Sequence, residues 1–229
     1  MARTSIPRRE LDEALRTLGR DTVSLSERAE KMLSESVQSL KAQDPVRAQW
    51  VVDEDDHVDD GSIAVEKMAE TVIARHQPVA SDLRRIISTM RIVRELERIA
   101  DLSVNIARTT LSMEEPLLKP LIDIPRMAVI AQEMVRNSLN ALVEDSEEGA
   151  WRVRCRDDEM DALYWQIFRE LLTYMIDDPR SIHRAIPLLF VARHLERIGD
   201  HATNIAEMVI YFKTGERVTS ASRGGYCEE

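Results

Sequence analysis

The chain has 229 residues, of which 44% are hydrophobic and only 4% aromatic, with 7 Gly and 8 Pro. Such a composition is rich in helix formers, so we expect an all-α fold. The formal net charge of −10 argues against nucleic acid as a partner, because a phosphate backbone would be repelled. Two cysteines are too few for a disulfide framework and fit a reducing compartment, and no apolar run reaches the length of about 20 residues that spans a bilayer, so we expect a cytoplasmic protein.

In the first half, apolar residues recur at alternating steps of four and three, the spacing of one helix face. Helices are predicted over residues 8–42, 46–75 and from about 81 to 112. The first ends at Asp44-Pro45, because proline cannot continue a helix interior. Ser81 or Asp82 is predicted as the N-cap of the third helix. Residues 1–112 are therefore expected to form a three-helix bundle.

Three prolines close together, Pro116, Pro120 and Pro125, indicate a linker over residues 113–124. The same plan then repeats. Helices are predicted over residues 125–143, 150–176 and from after Pro179 to 213. Residues 125–213 are thus expected to form a second three-helix bundle, followed by a flexible tail over 214–229, which is rich in Ser, Gly and charge.

The two halves also share sequence. The segments RELERIADLSVNIA (residues 94–107) and RHLERIGDHATNIA (193–206) agree at nine of fourteen places, where chance would give about one. Upstream, the pair Asp55 and Asp59 matches the pair Asp157 and Asp161. We therefore predict an internal duplication.

Each predicted half carries two acidic pairs at i, i+4, on its second and third helices, beside or opposite the apolar stripe. Carboxylate oxygens one helical turn apart can hold a hard cation, and all-carboxylate ligation suits magnesium, manganese, calcium or iron better than structural zinc. The candidate metal ligands are Asp55, Asp59, Glu97, Asp101, Asp157, Asp161, Glu196 and Asp200.

A plainer interpretation of these acids is a solvated helix face. Four arginines could neutralise the third-helix acids through ordinary i, i+3 or i, i+4 ion pairs: Arg94, Arg98, Arg193 and Arg197. Glu54-x-x-His57, of the kind that di-iron enzymes need on two helices, occurs once and is not repeated, and His194 and His201 also lack partners in the other half. We therefore regard an oxidase as weakly supported, and leave His194 and His201 out of the predicted site, because a histidine on a helix surface is more often solvated than ligating.

Catalytic chemistry has no other candidate in the sequence. A phosphate-cradling Gly-rich loop, a nucleophile elbow and a Cys/His pair are all lacking, so we expect a binding protein and not an enzyme. Trp50, Trp151 and Trp165 are assigned to packing. The alternatives are a carboxylate-ligated metal-dependent hydrolase or oxidase, and a plain helical adaptor without metal.

Several stretches together resemble the PhoU family of phosphate-specific transport system accessory proteins. They are LERIGDHATNIAEMV (195–209), LERIADLSVNIA (96–107), RHQPVASDLR (75–84) and DDEMDALYWQIFRELLTYMIDDPRSI (157–182). The resemblance runs from the first helix to about residue 213. It implies two PhoU-type three-helix bundles side by side, with multinuclear metal clusters on the eight acids named above, and iron, manganese, magnesium or zinc as the metal ions.

The resemblance also implies a role. Members of the family restrain phosphate uptake and the phosphate-starvation response by contacting the transporter ATPase and a sensor histidine kinase at the cytoplasmic face of the membrane. A homodimer is expected, with membrane contact only through partners. Two departures stand out: Ala100 replaces the Gly found at position 199, and Pro187 should kink the last helix unless that helix begins just before it.

Overall fold

The computed structural model describes residues 8–113, 117–119 and 121–218. Within them the chain forms six long helices and no strand: α1 (Arg8–Ala42), α2 (Pro45–His76), α3 (Ala80–Ser112), α4 (Asp123–Val143), α5 (Glu147–Asp177) and α6 (Ile182–Thr214). A short 3-10 turn, Pro179–Ser181, precedes α6. The predicted all-α fold is confirmed.

Two bundles stand in tandem. Helices α1, α2 and α3 pack on one another, α4, α5 and α6 do the same, and α3 packs against α6 across the two halves. Because α3 and α6 carry the repeated segments, the duplicated helices lie side by side at the centre of the molecule. Both are buried along their apolar faces, from Ile86 to Ala107 and from Ala185 to Ile210.

Helix boundaries follow local chemistry where the sequence carries a strong cap. Asp44 accepts hydrogen bonds at its side chain from the backbone N–H of Val46, at 2.9 Å, and of Arg47, at 3.2 Å. With Pro45 in the first turn, where it loses no helical hydrogen bond, this fixes the start of α2. The predicted break at Asp44-Pro45 is therefore confirmed.

The predicted N-cap of the third helix is wrong. Helix α3 begins at Ala80 after Val79, which makes no side-chain capping bond, and Asp82 lies in the first turn. The Asp82 carboxylate instead forms an ion pair with Arg8 at the start of α1. A tertiary ion pair has replaced the local capping bond that sequence favours.

The second bundle begins its helices earlier than predicted. Helix α4 starts at Asp123, two residues before Pro125, which the first turn of a helix tolerates. Helix α5 starts at Glu147 because Ser146 caps it, accepting from the N–H of Gly149 at 3.0 Å. Pro187 lies inside α6, so the alternative that this helix begins just before the proline is wrong.

The connecting segments are anchored where the structure describes them. Lys119 of the linker is 9% exposed and pairs with Glu170 of α5. Part of the tail predicted over 214–229 lies outside the described residues, but Gly215 closes α6 in the left-handed conformation (φ 78°) and Val218 packs against the core.

One further finding bears on the sequence-based expectations. No described helix is apolar over a stretch long enough to cross a membrane.

Candidate metal centres

In the first bundle, three of the four predicted acids influence one another. Asp55 and Asp59 lie on α2 and Asp101 on the neighbouring α3. Burial, followed by the negative charges of Asp59 and Asp101, raises the pKa of Asp55 to about 6. Burial and the charge of Asp101 likewise raise the pKa of Asp59. The structure thus brings acids from two helices within electrostatic reach of each other.

Asp55 is the most constrained of these acids. Its Oδ1 atom is buried and has no hydrogen-bond partner among the described residues. A buried carboxylate oxygen without a partner is costly, and proteins usually satisfy it with a donor or a cation. Glu97, one turn before Asp101, is half-buried and forms no hydrogen bond or ion pair within the described chain.

The second bundle repeats the arrangement with a different acid at its centre. Glu196 is only 8% exposed, and burial and the charge of Asp200 raise its pKa. One of its oxygens accepts from Arg193, while the other, Oε2, is buried without a partner in the described residues. Burial and the charge of Asp161 on α5 raise the pKa of Asp200. Asp157 lies one turn before Asp161 and is half-buried.

The helical pattern separates the candidate ligands from the neighbouring acids only in part. Asp56, Asp60 and Asp158, each one position after a candidate ligand, are exposed, but the candidate ligands Asp59, Asp161 and Asp200 are exposed as well. The ion pairs that formed the competing interpretation are also present in part: Arg98 Nη1 lies 2.9 Å from Asp101 Oδ2, and Arg193 pairs with Glu196. Each pair joins two residues that are three apart on one helix. The two pairs do not occupy equivalent positions in the two repeats.

The donor set fits a hard cation, because it consists of carboxylates that repel one another and includes two buried oxygens without partners, Asp55 Oδ1 and Glu196 Oε2. It is not a finished coordination site. In the part of the chain that the structure describes, no three His, Cys, Asp or Glu side chains are gathered closely enough to hold a metal ion. Binding would require the side chains to converge further.

One polar cluster escaped the sequence analysis. His201 of α6, which was left out of the predicted site, lies with its Nδ1 atom 2.7 Å from Glu95 Oε2 of α3, and Asn204 donates to the same oxygen at 3.0 Å. A sequence signal for this cluster was available, because the two repeats differ at these positions: Glu95 aligns with His194, and His201 aligns with Leu102. Glu95 and His201 thus differ from their counterparts in the other half and form a contact between the bundles, whereas Asn204 matches Asn105.

Fold and acids together define a duplicated helical-bundle protein with a carboxylate cluster in each half. The family described as the PhoU domain matches residues 22–110 and 124–209, one match in each bundle. The chain therefore belongs to the PhoU family.

Named relatives and solved structures agree with this. The chain is 40% identical over 206 residues to the phosphate-specific transport system accessory protein PhoU homologue of Rhizobium meliloti, covering 89% of this chain and 87% of the relative. The homologue of Aquifex aeolicus is 39% identical over 197 residues, covering 86% and 89%. The crystal structure of PhoU from Pseudomonas aeruginosa matches with a TM-score of 0.87 at 34% identity, covering 90% of this chain and 99% of that one.

Proposed function

We propose that this protein is a non-enzymatic regulator that restrains phosphate uptake and phosphate-starvation signalling. The observation that carries the proposal is the match of the PhoU family to both bundles, together with relatives named as accessory proteins of phosphate-specific transport. The described site supports binding rather than turnover, since its polar groups are carboxylates and arginines without a paired nucleophile and base.

Metal binding is the second part of the proposal. In the first bundle Asp55, Asp59, Glu97 and Asp101 would hold the ions, and in the second Asp157, Asp161, Glu196 and Asp200. A bound cation would supply positive charge that offsets the repulsion between these carboxylates. Iron, manganese, magnesium and zinc are the candidates, and the buried oxygens of Asp55 and Glu196 are the atoms that most need one.

Docking on other proteins is the third part. The relatives' names tie them to transport machinery, so we take the ATPase subunit of the phosphate transporter as the first partner and a phosphate-sensing histidine kinase as the second, with a homodimer acting at the cytoplasmic membrane face. Large apolar side chains lie exposed along α5 and α6, including Trp165 at 53%, Phe190 at 56% and Ile176 at 70%. Trp165 contacts the Phe168 ring but, contrary to its assignment to packing alone, leaves about half of its surface exposed. Exposed apolar side chains of this kind suit contact with another protein.

A helical adaptor without metal is the second candidate, and the ion pairs Arg98–Asp101 and Arg193–Glu196 are the observations that favour it. Deleting the gene and measuring phosphate uptake and starvation-gene expression tests the regulatory role shared by both. We expect excess phosphate and misregulated starvation genes in the deletion strain. Normal uptake and normal signalling would contradict the role. Restoring the strain with a variant that cannot bind metal then separates the regulator from the adaptor.

A further inference from the structure

A cavity of about 350 Å³ lies between the two bundles, away from the acidic clusters. Its walls come from α1, α3, the end of α4 and α6. Val23, Leu142 and Val143 line it with apolar surface, and Phe212 adds an aromatic ring. The volume falls within the range of about 300 to 1,000 Å³ that is usual for small-molecule sites.

A buried polar group also lines this cavity. Ser88 of α3 is 2% exposed, and its Oγ atom has no hydrogen-bond partner among the described residues. Serine hydroxyls within helices commonly donate to the carbonyl one turn earlier, as Thr22, another lining residue, does to Leu18 at 2.8 Å. The Ser88 hydroxyl therefore has hydrogen-bonding capacity left for a molecule that reaches it from the cavity.

Positive charge surrounds the cavity, although the chain as a whole is acidic. Arg16, Arg20 and Arg85 line it, against Asp145 as the acid among the described lining residues. Neither Arg16 nor Arg85 forms an ion pair within the described chain, and the Arg85 guanidinium lies 5.6 Å from the centre of the Phe212 ring. Guanidinium groups that are free of carboxylates are available to bind an anion.

We propose that this cavity binds a small organic anion, a molecule with one acidic group on an apolar or aromatic body. The arginines would hold the acidic group, Ser88 would provide a buried hydrogen bond, and the body would lie against Val23 and Phe212. Because the cavity is built from both bundles, such a ligand would bind across the junction between them, at a site separate from the candidate metal centres.

The test uses two probes with the same aromatic body, anilinonaphthalenesulfonate, which carries an acidic group, and the uncharged phenylnaphthylamine. Each is titrated into the full-length protein by calorimetry. We expect the sulfonate to bind at one site per chain and at least about tenfold more tightly than the neutral probe. Equal affinity for both probes, or no binding of the sulfonate, overturns the proposal.

Gly19 provides the matched variants. It lines the cavity, and a Cβ built on it would meet no atom within 4 Å. Gly19→Phe should fill the space and weaken sulfonate binding by about tenfold or more, whereas Gly19→Ala, which adds one methyl group, should bind within about twofold of the unaltered protein. Unchanged binding by Gly19→Phe, or loss of binding by Trp165→Ser alone, would place the probe on the exposed apolar surface and overturn the proposal.

A charge variant keeps the test decisive if Gly19→Phe does not fold. Arg85→Gln combined with Arg16→Gln changes residues that are exposed at the surface. The double variant should lose most of the preference for the sulfonate while binding the neutral probe as before. If the double variant still prefers the sulfonate over the neutral probe, these arginines do not bind the acidic group, and the proposed anion site is wrong.

Discussion

The carboxylate of Glu95 on α3 and the imidazole of His201 on α6 join the two bundles, with 2.7 Å between Oε2 and Nδ1. Burial by itself would raise the pKa of Glu95, but the hydrogen bonds from His201 and Asn204 outweigh it and hold the pKa below its usual value. A carboxylate stabilised in its charged form contributes stability that is lost as the pH falls through its folded-state pKa. This contact therefore stabilises the junction at neutral pH and weakens below about pH 4.5.

Glu95→Ala should lower the free energy of unfolding by about 1 to 3 kcal/mol at neutral pH, because charge-assisted hydrogen bonds are lost and His201 and Asn204 are left without their acceptor. Urea denaturation of the metal-free protein measures it. Glu97→Ala, two positions along the same helix and without hydrogen bonds in the described chain, is the matched control. Equal effects of the two substitutions would show that the junction does not depend on this contact.

Asp55 should make the metal-free protein less stable as the pH rises. Its folded-state pKa of about 6 lies above the unfolded value, so the folded state holds the proton more tightly. Stability is then lost between about pH 4 and pH 6, as the carboxylate ionises beside Asp59 and Asp101.

Asp55→Asn should consequently stabilise the metal-free protein above about pH 7 and have little effect near pH 4. Melting temperatures at the two pH values test this, with the exposed Asp56→Asn as control. If the variant is no more stable than the unaltered protein at high pH, then ionisation of Asp55 does not destabilise the folded state.

Replacing Glu196 and Asp200 together with Ala should remove metal from the second bundle and leave the first loaded, because the two acidic clusters lie on different helix pairs. Elemental analysis of the purified protein measures the metal content. Asp158→Ala, which removes an exposed acid from α5, should leave it unchanged. Full metal content in the double variant would show that Glu196 and Asp200 do not hold the metal and belong instead to an arginine-paired helix surface.

Gly19→Ala and Gly199→Ala should differ in stability. Both lie within helices, where alanine is favoured over glycine by about 0.5 to 1 kcal/mol. At Gly19 the new methyl group meets nothing, so this gain should appear in full. At Gly199 it would lie 3.2 Å from Met160 Cγ, so the gain should be smaller or absent. Thermal unfolding of both variants measures the difference. An equal gain in stability would mean that α5 and α6 accommodate the new methyl group without an energetic cost.

Caps show where sequence-based prediction succeeded and where it failed. The predicted helix break at Asp44-Pro45 was correct because the capping hydrogen bonds and the proline involve residues that are adjacent in sequence. Ser81 and Asp82 were wrong as caps because Asp82 interacts with Arg8, which is distant in sequence. Ser146 was missed although its capping hydrogen bond is local. The acidic residues around it suggested a loop, yet its hydroxyl caps α5.

Periodicity and repetition in the sequence by themselves determined the helical class and the duplication, since these depend on spacings of three, four and ninety-nine residues along one chain. Only the tertiary structure decided that Asp55 and Glu196 hold buried oxygens without partners, that His201 and Asn204 serve the junction, and that arginines and Ser88 line a cavity between the bundles. Burial and charge interactions arise from neighbours on other helices, and one sequence without its fold does not say which helices those are.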